Sequence, residues 1–275
     1  MTAARGSLAV VSTPIGNLAD LSPRAVDVLR SADLILAEDT RHSAVLLAHH
    51  GVGTRVESYH EHNEAAATPR IIRRLVEGAQ IALISDAGTP LVSDPGARLV
   101  RAAIDAGVPV VPIPGPSALL AALVGAGLPL DRFTFFGFVD RKGRARTEAI
   151  RAVVGSRWTC VLYEAPGRVA GLLDDLKQAG AGDRDAVVAR ELTKQFEEFR
   201  RGTVADLAGH FAAAAPRGEV VVLVGGAADP EPDEAAIARR ARELRAGGMS
   251  ARDVTRVLCD EMGAPRNLAY RLAHE

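Results

Sequence analysis

Residues 80–106, QIALISDAGTPLVSDPGARLVRAAIDA, decide the fold class. The run Gln80–Ser85 has the length and apolar character of a buried strand. Ser85-Asp86-Ala87-Gly88-Thr89-Pro90-Leu91-Val92-Ser93-Asp94-Pro95-Gly96 follows it. A helix then opens at Pro95 with Asp94 placed as its N-cap, reaches Ala106 and closes at Gly107. A strand feeding a helix is half of a crossover unit, and the flanking sequence repeats it. Leu8–Ser12, Leu34–Ala37, Arg55–Ser58 and Val108–Ile113 read as strands. Helices open between them at Ser22-Pro23, at about Ser43 and at Asn63, which caps a helix reaching Glu77. This alternation implies right-handed crossovers and a mostly parallel, buried sheet.

The second half has strands at Arg132–Phe138, Trp158–Tyr163, Ala186–Arg190 and Glu219–Val224. Helices lie between them at Arg146–Val154, Gly167–Ala179 and Val204–Ala214. This is a second α/β unit with its own sheet. Gly225-Gly226 and Asp229-Pro230-Glu231-Pro232 read as a linker. Beyond it, Glu234–Ala246, Ser250–Glu261 and Pro265–His274 read as helices that resemble a helix-turn-helix, with Ser250 and Asp253 as a capping pair. The expected architecture is α/β: one unit over 1–128, a second over 129–227 and a C-terminal helical element over 228–275.

With 275 residues, 48% of them hydrophobic and 24% charged, the chain buries a large core, which excludes wholesale disorder. A formal net charge of −1 provides no global field for nucleic acid or membrane, so such a partner is met by a local patch. Cys160 and Cys259 lie far apart, which excludes a disulfide framework and a cysteine zinc site and fits a reducing cytosol. Of 33 basic residues only Lys142, Lys177 and Lys194 are lysine, as a codon bias toward arginine produces. Residues 106–130 carry no charge but are broken by Pro109, Pro112, Pro114, Pro116 and Pro129. The helical part of that stretch spans roughly 15 Å, against a bilayer core of about 30 Å. The N-terminus has only Leu8-Ala9-Val10-Val11 as an apolar run, too short for a signal-peptide core.

In parallel sheets, ligands bind beyond the carboxyl ends of the strands. Ser12–Leu18 carries neither G-x-G-x-x-G nor a Gly-Lys-Ser/Thr ending, so a standard dinucleotide or ATP site is unsupported. Its Pro–Gly content suits either a tight turn or close approach of backbone amides to a ligand. Asp86 stands at a strand end with no capping role to explain it. Ser117, in Pro112–Ala118, is an N-cap by position and equally offers amide and hydroxyl to a cleft. Ala37-Glu38-Asp39-Thr40-Arg41-His42 reads as a paired surface turn, with Asp39 or Thr40 free to cap the next helix, or as acidic site residues. His60 and His62 lack a clear third ligand, so no metal is expected. Tyr163–Arg168 and Arg190–Lys194 each bring a carboxylate and a cation to the second unit's strand ends.

Six segments carry a resemblance: Thr13-Pro14-Ile15-Gly16-Asn17-Leu18, Ala37–Arg41, Ser85–Pro90, Pro114-Gly115-Pro116-Ser117-Ala118, Tyr163-Glu164-Ala165-Pro166 and Arg190-Glu191-Leu192-Thr193-Lys194. In this order they resemble the bacterial ribosomal RNA small subunit methyltransferase I family of the tetrapyrrole methylase superfamily, over about residues 8–225. The tail matches more loosely, through Arg266-Asn267 and Tyr270. The resemblance implies two αβα domains with a cleft between them, a cytoplasmic homodimer, and transfer of a methyl group from S-adenosylmethionine, without a metal. The implied acceptor is the ribose 2′-hydroxyl of a cytidine in the decoding region of 16S rRNA. Gly167 and Val139-Asp140 depart from the family pattern, on the acceptor side.

Carried over residue by residue, the resemblance places the donor on Gly88, Thr89, Pro90, Ser117 and Ala118, largely through backbone, with Pro14 and Tyr163 completing the pocket. A ribose hydroxyl needs a proton acceptor, and the candidates are Asp86, Glu38, Asp39, Glu191 and Lys194. Residues 140–157 hold six basic and two acidic side chains, so Arg141, Lys142, Arg144 and Arg146, with Arg41, are the expected RNA contacts. Phe135, Phe136 and Phe138 are either core or a stacking surface for bases. The competing readings are a tetrapyrrole C-methyltransferase, a DNA-binding regulator built on the terminal helices and a metal-dependent phosphohydrolase.

Overall fold

The computed structural model describes residues 6–228 and 233–275, so the linker residues Asp229-Pro230-Glu231-Pro232 lie outside it. Its first half runs β1 Ser7–Val11, α1 Pro23–Ser31, β2 Leu34–Ala37, α2 Thr40–His49, β3 Val56–Ser58, α3 Glu64–Val76, β4 Gln80–Ile84, α4 Ala97–Asp105, β5 Val110–Ile113 and α5 Ala118–Ala126. The strands pair in the order β3-β2-β4-β1-β5, all parallel. Side-chain alternation along β4 builds both layers. Ile81 and Leu83 join Leu36, Leu75 and Leu99 on one face, while Ala82 and Ile84 join Leu29, Leu46 and Leu47 on the other. Burial on both faces explains why these strands read as continuous apolar runs.

The second half runs β6 Phe133–Phe138, α6 Arg144–Gly155, β7 Thr159–Glu164, α7 Val169–Leu176, β8 Asp185–Arg190, β9 Glu198–Thr203, α8 Val204–Ala213 and β10 Val220–Val224. Its sheet, β6-β7-β10-β8-β9, is mixed: β6 and β7 are parallel and the remaining pairs antiparallel. One face packs on α6, α7 and α8. The other receives Ala122, Leu123 and Ala126 of α5 against Val161, Val187, Val221 and Leu223. That shared layer joins the two sheets in one compact unit ending at Ala227. At the end of α5, Arg201 of β9 donates through Nε to the Ala126 carbonyl at 3.1 Å and also bonds Gly125 O, closing two helix carbonyls. The second unit, from Ala228, holds α9 Glu234–Ala246, α10 Ala251–Met262 and α11 Arg266–His274 around Ile237, Val254, Leu258 and Leu272.

Several local expectations are corrected. Gly96, at φ 125°, rather than Asp94 occupies the N-cap of α4. A Cβ there would stand 2.7 Å from Leu83 Cδ2, so glycine is required by both backbone and packing. Asn63 does not cap α3 through its side chain; its Oδ1 accepts from His60 N–H at 2.9 Å. α2 begins at Thr40 because the Asp39 carboxylate accepts the Arg41 N–H. Residues 167–179 are not one helix: a 3-10 turn at Pro166–Arg168 precedes α7, and a π turn at Lys177–Ala181 follows it. β9 has no counterpart among the expected strands.

Candidate functional site

The order of the first sheet places the loops after β1, β4 and β5 side by side, and specific bonds fasten them together. Thr13 and Gly88 exchange two backbone bonds, N–H to carbonyl, at 2.8 and 3.0 Å. The Thr89 hydroxyl donates to the Pro116 carbonyl at 3.1 Å and stands 3.0 Å from Ser12 Oγ. Its single proton is engaged on Pro116, so Ser12 donates to it. Ser117 caps α5 through its hydroxyl, which accepts from Leu120 N–H.

These loops form one wall of a cavity of about 330 Å³. Gly88, Thr89, Asp94, Ser117 and Ala118 line it from the first sheet, and Tyr163, Glu164, Leu192 and residues 218–221 from the second. Antiparallel pairing explains the last group. Val220 lies opposite both Glu164 and Arg190, so the amino end of β10 sits among the carboxyl ends of β7 and β8. A second hollow of about 300 Å³ adjoins the first, and Ile15, Asp86, Ala87 and Glu219 line both.

Of the expected donor contacts, Gly88, Thr89, Ser117, Ala118 and Tyr163 line the main cavity. Pro14 lines the second hollow instead, and buried Pro90 lines neither. The proton-acceptor candidates separate sharply. Asp86 lines both hollows, and its Oδ1 accepts the Asp39 N–H at 3.0 Å. Asp39 is turned to the surface, where hydrogen bonds from the Arg41 side chain and backbone hold its carboxyl down at about 2. Glu38 lines neither hollow; burial, then repulsion from Asp86, raises its pKa. Glu191 also lines neither, and the hydrogen bond from Lys194 lowers its pKa. Lys194 Nζ lies 3.0 Å from both Glu191 and Glu219; burial opposes its charge, but those two bonds outweigh it and raise its pKa.

Ser93, Asp94 and residues 218–221 line the cavity without having been expected there, and Glu164, expected only as the carboxylate of a charged loop, lines it as well. Asp94 lies within electrostatic reach of the Glu38 and Asp86 carboxylates and of Tyr163. Burial, then Glu38, pushes its pKa up to about 6, against a hydrogen bond from Ser85. The Tyr163 hydroxyl is raised by burial. The Glu164 side chain is fully buried, pairs with Arg168 and accepts the Ala165 N–H at 2.7 Å, while its Oε2 has no partner. Leu91, Ser93, Glu191 and Thr193, at φ of 73, 67, 51 and 65°, are the non-glycine residues with positive φ among the described residues. All four lie in the two cleft loops, where strained backbone commonly marks a preorganised site.

The raised carboxyl of Asp94 has a measurable consequence. Its ordinary pKa is about 3.9, so the folded state favours the protonated form, and stability falls as pH rises through the window up to about 6. Asp94→Asn is expected to raise the melting temperature at about pH 8 and to leave it unchanged at about pH 4. A gain equal at both pH values, or a loss at the higher one, contradicts the burial of this carboxyl.

The expected basic contacts also divide. Arg141 and Lys142 are exposed, and Arg144 is exposed while paired with Glu148. Arg146 is only 14% exposed, bound to Asp175 and the Asp140 carbonyl, so its guanidinium anchors the loop instead of facing solvent. Arg41 pairs with Asp39 at the surface. Phe138 is exposed and lines the cavity beside Tyr163, their ring centroids 5.5 Å apart. No group of three metal-ligating side chains is gathered among the described residues.

This fold and this cleft define a class. The chain belongs to the tetrapyrrole (corrin/porphyrin) methylases, whose sequence profile matches residues 7–208. Within that class it is a member of the ribosomal RNA small subunit methyltransferase I family. It is 46% identical to the protein of that name from Pseudomonas aeruginosa, covering 98% of this chain and 96% of that one. It is 43% identical to the one from Synechocystis, covering 98% of each. The fold is shared with a uroporphyrin-III C-methyl transferase from Thermus thermophilus solved with S-adenyl homocysteine, at a TM-score of 0.57 and 19% identity, over 80% of this chain and 97% of that one.

Proposed function

We propose that the chain transfers a methyl group from S-adenosylmethionine to the ribose 2′-hydroxyl of a cytidine in the decoding region of 16S rRNA. The relatives' name supports small-subunit ribosomal RNA as the acceptor, the resemblance implies the cytidine ribose, and one observation supports the donor. The main cavity is lined by four carboxylates, Asp86, Asp94, Glu164 and Glu219, and by no lysine, arginine or histidine. Glu164 and Glu219 are ion-paired to Arg168 and Lys194, so Asp86 and Asp94 carry the charge that suits a cationic ligand. Glu164 Oε2, buried without a partner, offers an acceptor to a donor group of that ligand. Tyr163 and Phe138 add ring faces favourable to a cation.

S-adenosylmethionine, when bound, supplies a methyl group on a positively charged sulfur, an electrophile that needs an aligned oxygen and a place for its proton. The backbone at Gly88–Thr89 and Ser117–Ala118 holds the donor side rigidly, because each loop is bonded to its neighbour, and orientation of this kind replaces a bimolecular encounter. Asp86 is the proton acceptor. It alone among the five candidates reaches both hollows, while Lys194 is held protonated by two carboxylates and Asp39 and Glu191 are held ionised by cations.

Arg141, Lys142 and Arg144 supply the RNA contact, with Arg41 near the second hollow's His42. Reversing Arg141, Lys142 and Arg144 to glutamate is expected to weaken binding to small ribosomal subunits by more than about tenfold at moderate salt, with donor affinity unchanged; equal affinity for the subunit removes the patch. The protein is read as a cytoplasmic homodimer, a state that light scattering checks directly. No helix among the described residues is long and apolar enough to cross a membrane. The reaction is tested with methyl-labelled donor and small subunits from cells lacking this chain. Label on a cytidine ribose supports it; label on a base, or on a porphyrinogen and not on RNA, contradicts it.

A further inference from the structure

We propose that the second hollow, between α2 and the loops after β1 and β4, is the subsite that receives the acceptor nucleoside, read by Ser43 of α2 over an apolar platform that includes Val45. The proposal rests on the methyl-transfer reading above and assigns that reaction its second substrate site.

Three observations carry it. The hollow shares its Ile15-Asp86-Ala87 side with the main cavity, so a group held there presents itself to the proposed donor across Asp86. Its chemistry differs from that of the main cavity. It is lined by His42 and Lys194 as well as carboxylates, a mixture suited to a neutral ligand with both donors and acceptors. The Ser43 hydroxyl is the third. Ser43 is 2% exposed, lines the hollow, and its Oγ has no hydrogen-bond partner. An unpaired buried hydroxyl is a penalty that folding alone does not repay, and a ligand's carbonyl, ring nitrogen or hydroxyl would satisfy it.

Size and surface agree. About 300 Å³ accommodates a single nucleoside and excludes a paired strand, so the acceptor enters unstacked from its neighbours. Val45 is 65% exposed at this hollow, with Pro14, Ile15 and Leu18 also on its lining, an apolar surface on which a base or ribose face can lie.

The test uses the full chain, small ribosomal subunits lacking the modification, and S-adenosylhomocysteine as the donor-site probe. Ser43→Ala is expected to raise KM for the subunit about fivefold with kcat little changed. Ser43→Thr, which keeps the hydroxyl, restores part of the affinity. Val45→Glu, at an exposed position, is expected to raise KM by more than about tenfold. S-adenosylhomocysteine affinity stays at the wild-type value in all three, and Ser43→Ala melts no lower than wild type. Unchanged KM in Ser43→Ala and Val45→Glu overturns the subsite, as does loss of S-adenosylhomocysteine affinity, which would assign the hollow to the donor. A shift in oligomeric mass with Val45→Glu also overturns it, by assigning that face to a protein contact. A wild-type protein that binds S-adenosylhomocysteine but leaves the subunit unmethylated fails earlier, at the parent reading, and takes the subsite with it.

Discussion

Gly88→Val is expected to abolish donor binding, lowering affinity for S-adenosylhomocysteine by at least about a hundredfold, or roughly 3 kcal/mol. Gly88 has φ 85°, a conformation that β-branched residues essentially never adopt. The backbone cannot relax away from it cheaply, because both the N–H and the carbonyl of Gly88 are bonded to Thr13. A Cβ at this position already stands 3.4 Å from Ile15 Cγ2, and the valine methyls would extend beyond it into the cavity that Gly88 and Ile15 both line. The sheet itself is built from the buried faces of β1 and β4, so the variant is expected to remain folded. Gly88→Ala separates the two effects, carrying the backbone strain with far less added volume. Calorimetry together with far-ultraviolet circular dichroism checks the result; wild-type affinity in a folded Gly88→Val protein removes this loop from the donor site.

Glu164→Gln is expected to destabilise the fold by about 3 kcal/mol, although it changes no volume. The Glu164 side chain is fully buried at the end of β7, and Arg168, 27% exposed, is its ion-pair partner. Neutralising the carboxylate leaves a largely buried guanidinium uncompensated, which is the costly way to break such a pair. Arg168 Nε has no partner of its own to compensate the loss. The double variant Glu164→Gln with Arg168→Leu is expected to recover most of the stability, since removing both charges avoids the uncompensated one. It is not expected to recover donor affinity, because the orphaned Oε2 is what the cavity offers a cationic ligand. Urea unfolding and calorimetry on the four proteins separate the two roles. Additive destabilisation, with no recovery in the double variant, contradicts a coupled buried pair.

The chain alternates strand and helix so regularly that most of the architecture was legible before any coordinate. Ser22-Pro23 and Ser117 mark helix starts that the structure confirms, and the strands expected at Gln80–Ser85 and Glu219–Val224 stand at Gln80–Ile84 and Val220–Val224, legible because both their faces are covered. β9 was not legible. Glu198–Thr203 is an edge strand whose Glu198 and Arg200 pair with each other and whose Arg201 reaches the α5 carbonyls, so it carries almost no apolar signal. The same kind of blindness affects the site. Asp94 sits before Pro95-Gly96 and so looks like a helix cap, yet the cap position falls two residues later at Gly96, which frees the carboxyl to face the cavity. Residues 218–221 line the cavity from the amino end of an antiparallel strand, where a rule about carboxyl ends does not look. Glu191 and Lys194, three residues apart, looked like independent acid–base candidates, but that spacing pairs them with each other. Arg146 looked like one of four equivalent basic contacts until Asp175, distant in sequence, was found against it. For Arg146 and residues 218–221 the missing information was a partner brought from far along the chain; for Asp94, Glu191 and Lys194 it was local geometry.

Loops from two sheets converge on one cavity, the proposed seat of the methyl donor. A crystal of this protein soaked with S-adenosylhomocysteine tests it most directly. Ligand density is expected against the backbone of Gly88–Thr89 and Ser117–Ala118 on one side and beside Tyr163 and Glu164 on the other. Density elsewhere on the molecule, with this cavity left to solvent at saturating ligand, would contradict it.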